Sequence, residues 1–445
     1  MKKIIFILLF TLAFVTLIQA QISEDLLKKA NHGDAEAMYQ IARLYFEGTA
    51  ITQDFGKAKE WIQKSAEKGD PKAMYILGYM YHHALGTSLD FTKAMEWYLK
   101  AADQGNSDAM SNIGFLYLKG LGVPEEYTKA MEWYLKAAGN GDASAMRNIG
   151  ILYEDGLGVS QNYVKAMEWY QKAAENNDAS AMYNIGLLYK DGLGVSQNYV
   201  KAMEWFQKAA ENDDASAMLN IGYLYDNGLG VAQDYAKAME WYKKAASNGV
   251  APAMYIIGLN YQDGVGITQD YTKAMEWYLK AAEKGYTSAM INIGNMYYDG
   301  CGVDQDHAKA MEWFQKAADI GDPTAMNNIG CIFLDGLAVT QNYTKAMEWF
   351  KKAAENENAI AIFNIGGLYY DGLGVPQNYK KAFDFFKKAA ELQTSPSSTA
   401  MKMLSTCYRF GLGTPQNLEL AEYWLKKAQD TGDDDAKAIK RLLGE

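Results

Sequence analysis

Cysteine is scarce in this chain: Cys301, Cys331 and Cys407 are the only three among 445 residues. So small and odd a count excludes a disulfide-stapled scaffold and leaves at least one thiol free. Cys301 falls in an inter-helix loop and Cys331 inside the next helical segment, so no bridge is expected. Histidine is nearly as rare, at His32, His82, His83 and His307. Neighbours on a helix diverge by about 100°, so His82 and His83 cannot share a metal as an i, i+4 pair would; at a helix end they are expected to be solvated. No HExxH, zinc-type cysteine spacing, GxSxG or EF-hand loop occurs. Neither a metal, a cofactor nor a catalytic residue is therefore expected.

A surplus of positive charge is also lacking. The chain carries 43 Lys and Arg against 54 Asp and Glu, a net charge of −11. Nucleic acid rewards basic patches, and anionic lipid does likewise, so neither is an expected partner. Long apolar runs are confined to the N-terminus, where Lys2 and Lys3 precede Ile4 to Ile18 and Gln19-Ala20 ends on a small residue. That pattern predicts a signal peptide over residues 1–20 and a mature start near Gln21, with an uncleaved anchor as the alternative. The run is shorter than the roughly 20 residues that span a bilayer. The mature chain, at −13 once Lys2 and Lys3 are gone, is expected to be exported, periplasmic or secreted, without membrane insertion.

What the sequence has in abundance is repetition. The segment Asp178 to Gly194 recurs along the chain, and its methionine stands at Met38, Met74, Met110, Met146, Met182, Met218, Met254, Met290 and Met326, with Ile362 tenth. Every step is 36 residues; an eleventh copy at Met401 is displaced by three residues within Leu392 to Ser398. Such a period means stacked units that share one continuous core.

Each unit holds two helical patterns. In the first, Ala181, Met182, Ile185, Gly186 and Tyr189 make one apolar stripe, with Asp178 as its cap. A glycine inside a helix costs roughly 1 kcal/mol against alanine, so its return at Gly78, Gly114, Gly150, Gly222, Gly258, Gly294, Gly330 and Gly366 predicts a close approach by a neighbouring helix. The loop Gly192-Leu193-Gly194-Val195 follows, its glycines suited to left-handed backbone. It joins two helices and follows no strand, which excludes a nucleotide-binding loop. In the second helix, capped by Asn198, the stripe is Tyr199, Ala202, Met203, Phe206, Ala209 and Ala210. Trp205 and its equivalents are expected to cover the seam as core, and Lys201 and Glu204 to form an exposed pair.

The pattern A-M-x-x-I-G-x-L-Y-x-x-G-x-G-V-x-Q-[ND]-Y-x-K-A-M-E-W-[YF]-x-K-A-A resembles the Sel1-like repeat family, a tetratricopeptide-related unit with a longer loop, from Asp34 to the end. The resemblance implies an all-α, right-handed α/α superhelical solenoid of about eleven 36-residue helix-turn-helix repeats. The expected layout is an N-terminal cap helix over 21–33, ten repeats over 34–391, a divergent eleventh over 392–431 and a C-terminal cap helix over 432–445. Terminal repeats deviate, with Ala42 and Ser405 in place of the helix glycine and Phe383 and Phe385 for Met and Trp, as capping units do.

Some secreted, cysteine-rich relatives carry a penicillin-binding or β-lactamase description, and Ser65-Ala66-Glu67-Lys68 formally fits S-x-x-K. The S-D-N and K-T-G elements which that chemistry also needs are missing. The resemblance therefore implies an exported, non-enzymatic adaptor that binds a protein or peptide partner in a concave groove, such as a cell-envelope or host protein. A cell-wall-related enzyme or muropeptide or β-lactam binder is one alternative, and a secreted host-interaction factor is another.

The residues pointing away from the first helix's apolar stripe are the binding candidates. Two places after the methionine stand Asn112, Asn148, Asn184, Asn220, Asn292, Asn328 and Asn364; five places after it the residue varies, including Tyr79, Phe115 and Tyr223. A carboxamide both donates and accepts, and helices about 8–10 Å apart match about three residues of extended chain. The asparagines could thus grip a peptide backbone while the variable residues select side chains. Equally, each asparagine could bond only to the adjacent helix. Asp155, Asp191, Asp263, Asp299, Asp335 and Asp371, nine places after the methionine column, are expected to do no more than end their helices before glycine.

Overall fold

In a computed structural model, residues 22–392 and 397–430 are described; the expected signal peptide and C-terminal cap helix lie outside them. The described residues form twenty-three helices and no strand. A short helix, Glu24–Asn31, precedes eleven helix pairs running from Ala35–Glu47 to Leu418–Asp430. The chain is an all-α repeat array that divides into two compact units, Met1–Ala232 and Gln233–Glu445.

The pair Ala179–Asp191 and Tyr199–Glu211 shows how the repeat is written. The side chain of Asp178 accepts from Ala181 N, and that of Asn198 from Lys201 N, so both caps lie where the sequence placed them. Gly192 ends the first helix in the left-handed conformation, φ 71°. A device the sequence did not suggest closes the same end: the Gln197 amide donates to the Lys190 carbonyl at 2.9 Å, satisfying an acceptor orphaned by the helix terminus. Gln161 and Gln269 do the same one and two repeats away.

The glycine inside each first helix meets an aromatic ring on the second. A Cβ on Gly186 would lie 2.5 Å from Phe206 Cδ1, and one on Gly150 would lie 2.4 Å from Tyr170 Cε1. Those rings are fully buried, so each repeat trades a glycine's helical cost for the burial of a whole ring. The first repeat has Ala42 with Ile62 and the eleventh has Ser405 with Leu425, a larger helix residue opposite a smaller partner each time. Beside Ala42 and Ile62 an apolar cavity of about 150 Å³ remains.

Three expectations need correction. Tryptophan is only half-buried: Lys208 lies 4.1 Å from the Trp205 ring centroid and Lys100 3.9 Å from that of Trp97, so each indole is roofed by the lysine one turn on. Lys201 does not pair with Glu204; its ammonium sits 5.2 Å from the Tyr189 ring on the first helix. His82 is not solvated. It is 8% exposed, its ring stacks on that of His83 with centroids 4.5 Å apart, and its Nδ1 lies 3.3 Å from the Tyr98 hydroxyl.

Burial, then the neighbouring His83, lowers the pKa of His82 from 6.5 to about 4. The fold therefore holds a neutral ring where the unfolded chain would be protonated. The unfolded state binds more protons between those limits, so stability is complete above about pH 6.5 and falls toward pH 4. A loss of about 2–3 kcal/mol is expected across that interval in denaturant titrations. His82→Leu, a residue that Leu118 and Leu334 supply at the equivalent position, should flatten it.

Candidate functional site

Within each unit the first helices of successive repeats lie near one another, and the asparagines stand at the same place along them. Within the first unit, Asn220 Nδ2 reaches the Tyr183 hydroxyl of the preceding repeat at 3.4 Å and its own helix at Ser216 O, 3.0 Å. Asn112 donates to Asp108 O at 2.9 Å. Within the second unit, Asn292 Nδ2 lies 3.5 Å from the Tyr255 hydroxyl, and Asn364 Nδ2 lies 3.1 Å from Asn327 Oδ1. Four of the seven thus have local bonds through their amide nitrogens. Each amide has two N–H groups and each oxygen two lone pairs, so capacity remains for a further partner. All seven asparagines are half-buried.

Tyrosine hydroxyls join this polar track from beneath. Tyr170, fully buried by its ring, donates to Glu154 Oε2, and Tyr278 donates to Gln262 Oε1 at 2.9 Å. Burial first, and for Tyr170 the Glu154 carboxylate next, raises both hydroxyl pKa values, so they stay protonated donors.

The three aromatic candidates differ in surroundings. Tyr223 is 45% exposed. Phe115 stacks on His82, centroids 5.8 Å apart, and the Tyr79 ring lies 4.1 Å from that of His83. Tyr79, His82, His83 and Phe115 therefore form a single aromatic cluster in the first unit, which a solvated His82 would not allow.

The column of acids differs from its expected bland role in one respect. Each ends a first helix before a left-handed glycine, where the helix dipole disfavours negative charge. Asp191 has Lys190 at 3.6 Å and Asp263 has the Gln262 amide at 3.4 Å. Asp155, Asp299, Asp335 and Asp371 have no ion pair among the described residues.

Ser65 belongs to the packing. It is fully buried and its Oγ donates to Ala35 O at 2.7 Å, tying the second helix of one repeat to the first. Among the described residues no group of three or more His, Cys, Asp or Glu could hold a metal, and no helix is long and apolar enough to cross a membrane. All three cysteines are free.

The Sel1 repeat family model matches eleven consecutive segments: 35–70, 71–106, 107–142, 143–178, 179–214, 215–250, 251–286, 287–322, 323–358, 359–393 and 398–430. The chain belongs to the Sel1-repeat family. Among solved structures it is similar to c5321, a protective antigen present in uropathogenic Escherichia coli strains, at 32% identity over 95% of this chain and 90% of that one, TM-score 0.61. It is also similar to a Sel1 repeat protein from Oxalobacter formigenes, at 31% identity over 68% and 88%, TM-score 0.55. Comparison with curated proteins gives no match. Sel1 repeats generally act as non-enzymatic scaffolds for protein interaction.

Proposed function

We propose that this Sel1-repeat chain is an exported, non-enzymatic adaptor that holds an extended protein or peptide segment in a concave groove formed by its first helices. The observation that carries the reading is the column of half-buried asparagines, Asn112, Asn148 and Asn184 among them, next to a position whose side chain changes from repeat to repeat. A constant carboxamide suits the constant peptide backbone, and a variable neighbour suits its variable side chains. Stacked helix pairs curve, which gives such a column an extended binding surface. Export rests on the N-terminal sequence pattern, and a cell-envelope or host protein is the partner class that follows from it. Fractionating cells into periplasm and medium separates the periplasmic adaptor from the secreted factor.

The test is a triple variant, Asn184→Ala with Asn220→Ala and Asn292→Ala, assayed against a partner isolated from envelope extract. The expected result is an affinity loss of at least tenfold with the melting temperature lowered by only a few degrees; three lost hydrogen bonds are worth about 0.5–1.5 kcal/mol each. Full affinity with lowered stability would show that the column serves only the stack. Turnover of a β-lactam or peptidoglycan fragment by the purified chain would favour the enzymatic alternative instead.

A further inference from the structure

One rung of the asparagine column lacks the support the others have. Asn220 and Asn292 each reach a tyrosine on the previous first helix, but the equivalent residue behind Asn328 is Ile291. Tyr170 and Tyr278 send hydroxyls to the first-helix face, but the equivalent ring below Asn328 is Phe314. Asn364 likewise stands above a phenylalanine, Phe350, but has the Asn327 carboxamide behind it, so Asn328 alone of the seven has an apolar residue at both places. The Asn328 carboxamide oxygen has Asn327 Nδ2 at 3.4 Å, while its own N–H groups find no acceptor among the described residues.

Beside Phe314 lies a notch of about 220 Å³ lined by Asn295, Tyr298, Phe314, Asn328 and Cys331. It is smaller than the roughly 300–1,000 Å³ of a drug-sized ligand site and matches one long side chain. The Tyr298 ring is held edge-on by His307, centroids 4.9 Å apart. Cys331 Sγ has the amides of Asn327 and Asn364 at 3.9 Å each. Asp335, which has no ion pair among the described residues, lies one helical turn after Cys331 on the same face, and Asp299 directly follows Tyr298 at the end of its helix. Two helix C-termini, at Asp299 and Asp335, add to the negative field.

We propose that this notch receives an arginine side chain of the bound partner, with Asn295 and Asp335 accepting from the guanidinium and Asn328 donating to that residue's backbone carbonyl. A planar cation with five donors fits an aromatic floor with amide acceptors and the Asp335 carboxylate one helical turn from Cys331. Lysine also sits over rings, as Lys208 does over Trp205, but its compact ammonium has no planar fork to reach two acceptors at once, so arginine is the residue the lining favours. The inference rests on the proposed adaptor reading, and adds to it one specificity position in the second unit.

Cys331 lines the notch and supplies a reporter on it. Full-length protein is treated with N-ethylmaleimide and each cysteine is followed by mass spectrometry, with Cys301 as an independent loop control. The probe is acetyl-Gly-Ser-Arg-Ser-Gly-amide, compared with its citrulline analogue, which has the same shape without the charge. The arginine peptide should slow Cys331 modification at least fivefold at saturation and leave Cys301 unchanged; citrulline should slow it less than twofold. Phe314→Tyr restores the hydroxyl that other repeats carry, fills the notch and should abolish the arginine effect in a protein of normal melting temperature. Asp335→Asn should raise the concentration needed by about tenfold.

Equal protection by the two peptides would overturn the assignment in favour of a neutral hydrogen-bonding group. Protection undiminished in Phe314→Tyr would overturn the notch itself. If the asparagine triple variant loses the partner while arginine gives no protection, the notch inference falls and the adaptor reading stands. If arginine protects while the triple variant keeps full partner affinity, the notch stands and the asparagine-ladder reading falls.

Discussion

Gly186→Ala should destabilise the protein by about 1–3 kcal/mol, although alanine is the better helix former by about 1 kcal/mol. The sign follows from the ring of Phe206. An added Cβ would sit 2.5 Å from two of its carbons, and the ring is fully buried with nowhere to retreat. The chain contains its own remedy. The first repeat carries alanine at this place with isoleucine opposite, so Gly186→Ala combined with Phe206→Ile should recover much of the loss. Phe206→Ile alone opens a cavity and should also cost about 1–3 kcal/mol. Urea titrations of the four proteins form a double-mutant cycle in which the two changes are expected to compensate each other by about 1–3 kcal/mol. Additive losses would mean that glycine and ring are independent.

The loop glycine should be still less replaceable. Gly194 has φ +69°, and a Cβ there would lie 2.6 Å from Tyr163 Cβ and 2.7 Å from its carbonyl carbon, in the preceding repeat. Gly194→Ala thus combines a left-handed penalty of about 1–2 kcal/mol with a clash against backbone that cannot rotate away, for a total of about 2–4 kcal/mol. Because the contact joins two repeats, hydrogen exchange should show opening focused on that seam, as expected for an array stabilised by nearest neighbours. Ala338 occupies the equivalent place at φ 61°, where the preceding repeat presents His307 instead of tyrosine. Ala338→Gly should therefore stabilise, by about 0.5–1 kcal/mol. A destabilising Ala338→Gly would contradict the strain argument.

These two glycines illustrate how much of the fold is legible in the sequence. Period, helix pairs and caps could be read from Asp178, Asn198 and the methionine column, because caps and apolar stripes are local signals. That Gly186 admits a close neighbour was also readable. Which neighbour was not, yet a trace existed: where Ala42 and Ser405 replace the glycine, Ile62 and Leu425 replace the ring twenty residues later. Side-chain direction on the second helix was less accessible. Lys201 chose the Tyr189 face over Glu204, since an aromatic face on the paired helix competes with an exposed acid worth only a few tenths of a kcal/mol. His82 was misplaced because a helix end suggests solvent, whereas stacking on Phe115 of the next repeat buries it. The asparagine column was visible as a pattern, but its bonds to Tyr183 and Tyr255 depend on residues one repeat back. The notch at Asn328 lies where both places, Ile291 and Phe314, carry no polar group.

The most direct test of the account asks which face the partner covers. Hydroxyl-radical footprinting of the complex reads both faces at once, since aromatic side chains lie on each. Protection at Tyr79, Phe115 and Tyr223 on the first helices, with Trp97, Trp133, Trp169 and Trp205 oxidised as in the free protein, is the predicted result. Protection of the tryptophan column with the first-helix aromatics unchanged would place the partner on the opposite face and contradict the account.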